Sequence, residues 1–218
     1  MRRIRPNEIE LKPAQVDKQN GRWVRLLLHK DARLDQDILD ETFGPMNWQS
    51  EFKVVGQSIY CKLSVWDSEK KEWISKEDVG TSESNFEPEK SAASTAFKRA
   101  AVQLGIGRFL YNAPTVFVDL YQGECVNGKV RPKFTVEDYE IDENGEFLSL
   151  EIVDEKGQLR WHMPVYSRTV RAIRNAPNKD SLIKIWDTLN DLRKDPVFIR
   201  LMKERKRKLG LDGRTAEP

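Results

Sequence analysis

Two sets of charged residues in this sequence could do chemistry. The first is cationic: Lys98 and Arg99 stand side by side in EKSAASTAFKRAAVQLGIGRFLY, and Arg108 follows a double-glycine break. Cations of this kind neutralise phosphates and displace the counterions condensed on a nucleic-acid strand. They also suit a local role, because basic residues near a helix C-terminus balance its dipole. The second set is anionic. Asp67, Glu77, Asp78 and Glu83, with Lys98, could be imagined as a carboxylate–lysine cluster holding magnesium in a nuclease. Glu77 and Asp78 are adjacent on one predicted strand, however, so they point to opposite faces. No acidic-x-lysine spacing sits on a neighbouring strand.

The elements that must position these groups can be read from the pattern around them. Ser84 and Glu87 have capping-box spacing, and Pro88 suits a first helical turn. Ala93, Phe97, Ala100, Ala101 and Leu104 recur at helical spacing, which predicts a helix over 88–104 with a short-chained apolar face. Gly105 and Gly107 end it. Upstream, WVRLLL within 22–29 reads as a buried strand. Leu34, Ile38, Leu39 and Phe43 mark a short helix that stops at Gly44. Lys30 and Arg33 fall at this strand–helix junction, where charge could face a groove. Trp48–Val55, Ile59–Val65 and Trp73–Val79 read as three strands, joined by turns at Gly56–Gln57 and Asp67–Lys71. The middle one alternates most clearly and puts Cys61 on its apolar side, as core and not nucleophile. Lys53 and Lys62 are further cationic candidates by strand position. The predicted unit is β-β-β-α, a curved antiparallel sheet backed by the 88–104 helix.

After Pro114 the signal changes. Phe134–Tyr139, Phe147–Val153 and Leu159–Met163 read as a β-meander with turns at DENG and DEKG, and His162 as a lone exposed histidine. Helices follow: one with Leu182, Ile185, Trp186, Leu189 and Leu192 on its apolar face, and one opened by Asp195–Pro196 that closes in KERKRK. The tail cations Lys203, Arg205, Lys206, Arg207 and Lys208 suit either a solvated helix end or backbone contacts to DNA. The resulting fold class is α+β, divided into a polar segment 1–21, a core 22–120, a meander extension 121–164, a basic helical region 165–208 and a disordered tail 209–218.

Composition narrows the function classes. The 218 residues carry a net charge of only +2, but Arg160 onward holds 15 Lys/Arg against 7 Asp/Glu, and the rest 22 against 28. A basic tail therefore follows an acidic body. Two cysteines, Cys61 and Cys125, make neither a disulfide framework nor a zinc site. No apolar run approaches membrane-spanning length, and no secretory h-region follows MRRIRP. These features predict a cytoplasmic protein without membrane contact. No GxxxxGK[ST] phosphate loop is present, which argues against a strand-exchange ATPase.

Three separated stretches carry a resemblance. KDARLDQDILDETFGPMNW, EDVGTSES and EKSAASTAFKRAAVQLGIGRFLY occur in the order seen in the Rad52/Rad22 family of single-strand annealing proteins, and resemble its bacteriophage and prophage branch most. The likeness runs from about Arg22 to Pro114. It implies that Lys98 and Arg99 line an inner groove for single-stranded DNA; Arg108 is a further candidate from its own place just after the glycine break. Where the eukaryotic branch has a further basic residue one helical turn past the pair, this chain has Val102–Gln103. The resemblance also implies a homo-oligomeric ring or arc with DNA around its outside. The implied activity is non-enzymatic, cofactor-free and ATP-independent annealing in recombination and DNA repair, of recombinase-mediator type. Partners would be a phage exonuclease or a host single-strand-binding protein. A rival reading is a strand-coating protein without annealing power, with Tyr60, Trp66 and Trp73 as stacking platforms; sheet packing is the plainer role for these rings.

Overall fold

The computed structural model describes residues 1–82 and 87–211. In chain order, strands β1 (Glu10–Val16) and β2 (Trp23–His29) precede helix α1 (Ala32–Phe43). Strands β3 (Trp48–Val55), β4 (Ser58–Asp67) and β5 (Glu72–Gly80) lead to α2 (Pro88–Gln103). Then come β6 (Val116–Asp119), the small hairpin β7 (Cys125–Val126) and β8 (Lys129–Val130), β9 (Phe134–Ile141), β10 (Phe147–Asp154) and β11 (Leu159–His162). Helices α3 (Ser167–Asn175), α4 (Lys179–Thr188) and α5 (Pro196–Lys208) complete the chain. These elements form two compact units, one of residues 1–10 and 28–111 and the other of 11–27 and 112–218.

The first unit contains the predicted β-β-β-α arrangement. β3, β4 and β5 form an antiparallel sheet in which Trp66 pairs with Trp73 and Tyr60 with Val79. Alternation on β4 sends Cys61, Leu63 and Val65 to one buried face. Helix α2 covers that face with Ala92, Ala96, Phe97, Ala100 and Ala101. The buried stripe keeps the expected Phe97, Ala100 and Ala101 but takes in Ala92 and Ala96, while the expected Ala93 and Leu104 are only half-buried. Gly80 explains the close approach. A Cβ there would lie 1.9 Å from the carbonyl oxygen of Ala92, so no other residue lets the helix backbone rest on β5. Burial of the Cys61 thiol pushes its pKa up to about 11, as a core position should. At its start α2 has Pro88 in the first turn, preceded by Glu87 in the left-handed region (φ 48°) with no side-chain cap bond. The expected partner Ser84, and the carboxylate Glu83, lie outside the described residues.

The second unit is built on a six-stranded sheet of order β11-β10-β9-β1-β2-β6. The predicted meander is an extension of this sheet and not a free-standing module. β1 is a difference from expectation, since within the polar segment 1–21 the stretch KPAQVDKQNG reads as loop or short helix. Its own pattern is weak, and its strand geometry comes from lying between β9 and β2. Arg160, counted in the sequence only as part of a basic tail, has a side chain 1% exposed. It donates to Glu124 (2.7 Å), Asp154 (3.2 Å) and the Asp119 carbonyl (2.9 Å), and its guanidinium lies 4.2 Å from the Tyr121 ring centre. The helices pack Val170, Ile173, Leu182, Phe198 and Leu201 into one apolar cluster. Asp195 caps α5, accepting from the backbone N–H of Val197 and Phe198. Of the tail expected to be disordered, Leu209, Gly210 and Leu211 donate back to carbonyls of the last α5 turn; residues 212–218 lie outside the described residues.

Candidate nucleic-acid interface

The cationic residues of α2 are positioned by the small-residue face behind them. With alanines against the sheet, Lys98 and Arg99 fall on the outward side. There they border a groove of about 240 Å³, shared with Lys30, Val102, Gly107 and Tyr111. Lys98 forms no ion pair among the described residues. Arg99 is half-exposed and donates to Asp78 (3.0 Å), so part of its charge is balanced. Burial pushes the Asp78 carboxyl up, but hydrogen bonds from Gln103, Arg99 and the Val79 N–H outweigh this and hold its pKa below the ordinary value. Gln103, at the place of the missing basic residue, donates to Asp78 and to the Glu77 carbonyl (both 2.9 Å). It ties helix to sheet and brings no charge to the groove.

Lys30 is the largest departure in placement. It is 6% exposed, not a charge turned freely to a groove, and it is ion-paired with the fully buried Asp35. Its ammonium also approaches the Lys98 carbonyl (3.4 Å), so it braces α2 from beneath. The stem passes over Gly107, whose φ is +67° and where a Cβ would come within 2.7 Å of the lysine. That glycine therefore serves both the turn and the passage of Lys30. Burial pushes Asp35 up to about 6 against the pull of Lys30, and it lowers Lys30 against the pull of Asp35. Desolvation outweighs attraction for both partners.

The remaining candidates are scattered. Arg33 is exposed and folds back on Asp31 (3.0 Å), the residue that caps α1. Arg108 is exposed but donates to the carbonyls of Val102 (3.2 Å) and Gln103 (2.8 Å), the local role open to a cation past a helix end. Lys53 and Lys62 stand on the sheet face away from α2, beside Glu77 (2.8 Å) and Glu51 (3.5 Å). In α5, Lys203, Lys206, Arg207 and Lys208 are exposed, whereas Arg205 turns inward to the Ala176 carbonyl (2.6 Å).

The carboxylates imagined as a metal site are held apart. Asp67 accepts from the Glu69 and Lys70 N–H groups of its own turn, while Glu77 and Asp78 engage Lys53 and Arg99 on opposite faces. Among the described residues no three His, Cys, Asp or Glu are grouped to hold a metal ion. The candidate stacking rings Trp66 and Trp73 meet edge-on at 5.5 Å. Tyr111, which the sequence reading missed, is 70% exposed at the groove. Its only signal was its place just after the glycine break.

Comparison with known proteins identifies one family and two relatives. Residues 8–123 match the Rad52/22 family of double-strand break repair proteins, a span that includes the stretch from Arg22 to Pro114. A single-stranded DNA-binding protein DdrA from Deinococcus deserti is 35% identical over 160 residues, covering 70% of this chain and 74% of that protein. Its namesake from Deinococcus radiodurans is 37% identical over 116 residues, covering 51% of this chain and 52% of that one. No solved structure matches. With more than half of its length matched by the family model, this chain belongs to the Rad52/22 family of double-strand break repair proteins.

Proposed function

We propose that this protein binds single-stranded DNA along α2 and anneals complementary strands without ATP, in homologous recombination and DNA repair. The reading rests on one observation. Lys98 and Arg99 border a groove whose rim also offers the exposed ring of Tyr111, on a helix locked to its sheet by alanines and Gly80. Cations neutralise the strand's phosphates, and a ring accepts a base without reading its sequence. Bases held by their backbone leave their pairing edges open to a second strand. Arg108 and the exposed tail cations of α5 are secondary contacts in this reading. Lys30 acts by supporting α2, and Arg33, Lys53 and Lys62 are outlying contacts.

Annealing over long strands calls for many copies side by side, in a ring or arc. β3 supports this, because it is an edge strand with Phe52, Val54 and Val55 exposed. A head-to-tail contact through such an edge extends one groove across protomers. The setting is phage or prophage recombination in the bacterial cytoplasm, beside a phage exonuclease or host single-strand-binding protein.

A second reading is favoured by the names of the two Deinococcus relatives, which specify binding to single strands and say nothing of annealing. One experiment separates the two. Complementary dye-labelled oligonucleotides are mixed with the full chain over a salt series, without ATP or magnesium. Rapid pairing that weakens with salt, and that is lost in the folded Lys98→Ala/Arg99→Ala variant, is the expected result. Tight binding with slowed pairing would make it a coating protein. Normal binding by the folded double variant would remove α2 as the site.

A further inference from the structure

The two adjacent cations of α2 are held differently. Lys98, on the groove, ends in a compact ammonium on a flexible stem. Arg99 is fixed from one side. Its Nε–H donates to the Asp78 Oδ1 (3.0 Å), while its terminal amines donate to nothing among the described residues. The carboxylate that receives it is itself immobile. Its Oδ1 also accepts from the Val79 N–H (2.8 Å), and its Oδ2 accepts from the Gln103 amide (2.9 Å). Gln103 stands one helical turn past Arg99 and is tied at both ends. Its amide also donates to the Glu77 carbonyl (2.9 Å), and its own carbonyl accepts from Arg108 (2.8 Å). Arg99 lines the groove, whereas Asp78 and Gln103 do not. The carboxylate therefore backs the guanidinium and leaves the place of a phosphate open.

We infer that Asp78 and Gln103 are positioning residues for the α2 site, holding Arg99 by its Nε edge so that its terminal amines meet a phosphate of the strand. The inference rests on single-strand binding along α2. A guanidinium is planar, with Nε–H on one edge and a fork of terminal amines that takes phosphate by two parallel bonds. Anchoring through Nε fixes the plane and leaves that fork unspent. An unanchored arginine gives up its rotamer freedom only when the strand arrives, and this ordering weakens binding. The negative charge of Asp78 works the other way, by repelling phosphate. It is already engaged by three hydrogen bonds, beside an arginine half-exposed to water and salt that screen the repulsion, so orientation outweighs it. Gln103 thus adds no charge to the groove but fixes a charge already there.

The test follows binding of a fluorescent oligothymidylate to the full chain by anisotropy. Asp78→Ala, Gln103→Ala and Arg99→Ala are measured singly, and the first two also in combination with Arg99→Ala. Circular dichroism checks that each variant is folded. Gln103→Ala changes no charge and leaves the Asp78–Arg99 pair in place, so it keeps the test open should Asp78→Ala not fold. Asp78→Ala is expected to weaken binding about two- to tenfold although it removes a negative charge, and Gln103→Ala about twofold. Neither should lower affinity further once Arg99 is replaced. Unchanged or tighter binding by folded Asp78→Ala, or by Gln103→Ala where only that variant folds, overturns the proposal and makes the carboxylate a competitor of the phosphate. An equal loss in the Arg99→Ala background also overturns it, because the two residues would then only tie helix to sheet. Normal binding by Arg99→Ala, with binding still lost in Lys98→Ala, removes the positioning role and keeps α2 as the site. Normal binding by the folded Lys98→Ala/Arg99→Ala variant removes the α2 reading itself, and the positioning role with it.

Discussion

Helices α2 and α5 both carry adjacent basic residues, and they put those charges to different use. On α2 the opposite face is a stripe of alanines pressed onto β4 and β5, so Lys98 and Arg99 are fixed over a concave groove braced by Lys30. On α5 the opposite face carries Phe198 and Leu201, and the cations either rim an apolar cleft or stand clear of the surface. Each run also gives one arginine to a helix end. Arg108 satisfies carbonyls at the close of α2, and Arg205 that of Ala176 at the close of α3. The number of basic residues therefore does not define an anion site. The backing does: a rigid, concave support concentrates charge on a strand, and a convex helix end offers it only to solvent or to a loosely held backbone.

The largest expected effect concerns that support. Asp35→Asn leaves the buried Lys30 ammonium uncompensated, and should lower unfolding stability in urea by roughly 3–5 kcal/mol. Lys30→Met with Asp35→Leu should recover most of that stability. Failure of the single variant to destabilise would mean that α2 needs no brace, which would weaken the contrast with α5.

A smaller difference is expected in DNA binding. Lys98→Ala/Arg99→Ala should remove most affinity for single strands. Lys203→Ala/Lys206→Ala/Arg207→Ala/Lys208→Ala should weaken binding far less than the α2 variant, and flatten the plot of log affinity against log salt by about 0.7 for each phosphate that is no longer neutralised. A fluorescence titration at several salt concentrations measures both. If the α5 variant loses more affinity than the α2 variant, the comparison is reversed.

The smallest effect is a pH dependence of the α2–β5 junction. The Asp78 carboxyl is held below its ordinary value of 3.8 in the fold, so the folded state binds fewer protons there than the unfolded chain. Its contribution is present above that pH and lost as pH falls through the lower folded value. Because Arg99 is half-exposed, the loss should stay below ~1 kcal/mol. Asp78→Asn should narrow the gap between wild-type and variant stability in acid; an unchanged gap would mean that the pairing contributes nothing.

The sequence by itself determined whatever rests on neighbours along the chain. The alternation from Ile59 to Val65, the helix from Pro88 and the glycine stop at Gly105 and Gly107 are local signals. They led to the observed β-β-β-α unit and to the Lys98–Arg99 pair on its helix. The meander strands were legible for the same reason, with their turns at DENG and DEKG. Tertiary structure alone decided what depends on partners far away in sequence. KPAQV became strand only because β2 and β9 flank it, and α2 turned to bury Ala92 because Gly80 admits it. Lys30 reads as a cation facing a groove and Arg160 only as the start of a basic tail, yet both are buried against carboxylates that no spacing rule links to them: Asp35 for one, Glu124 and Asp154 for the other. A charge looks the same in sequence whether it meets water or an opposite charge, because desolvation and pairing are properties of the packed interior.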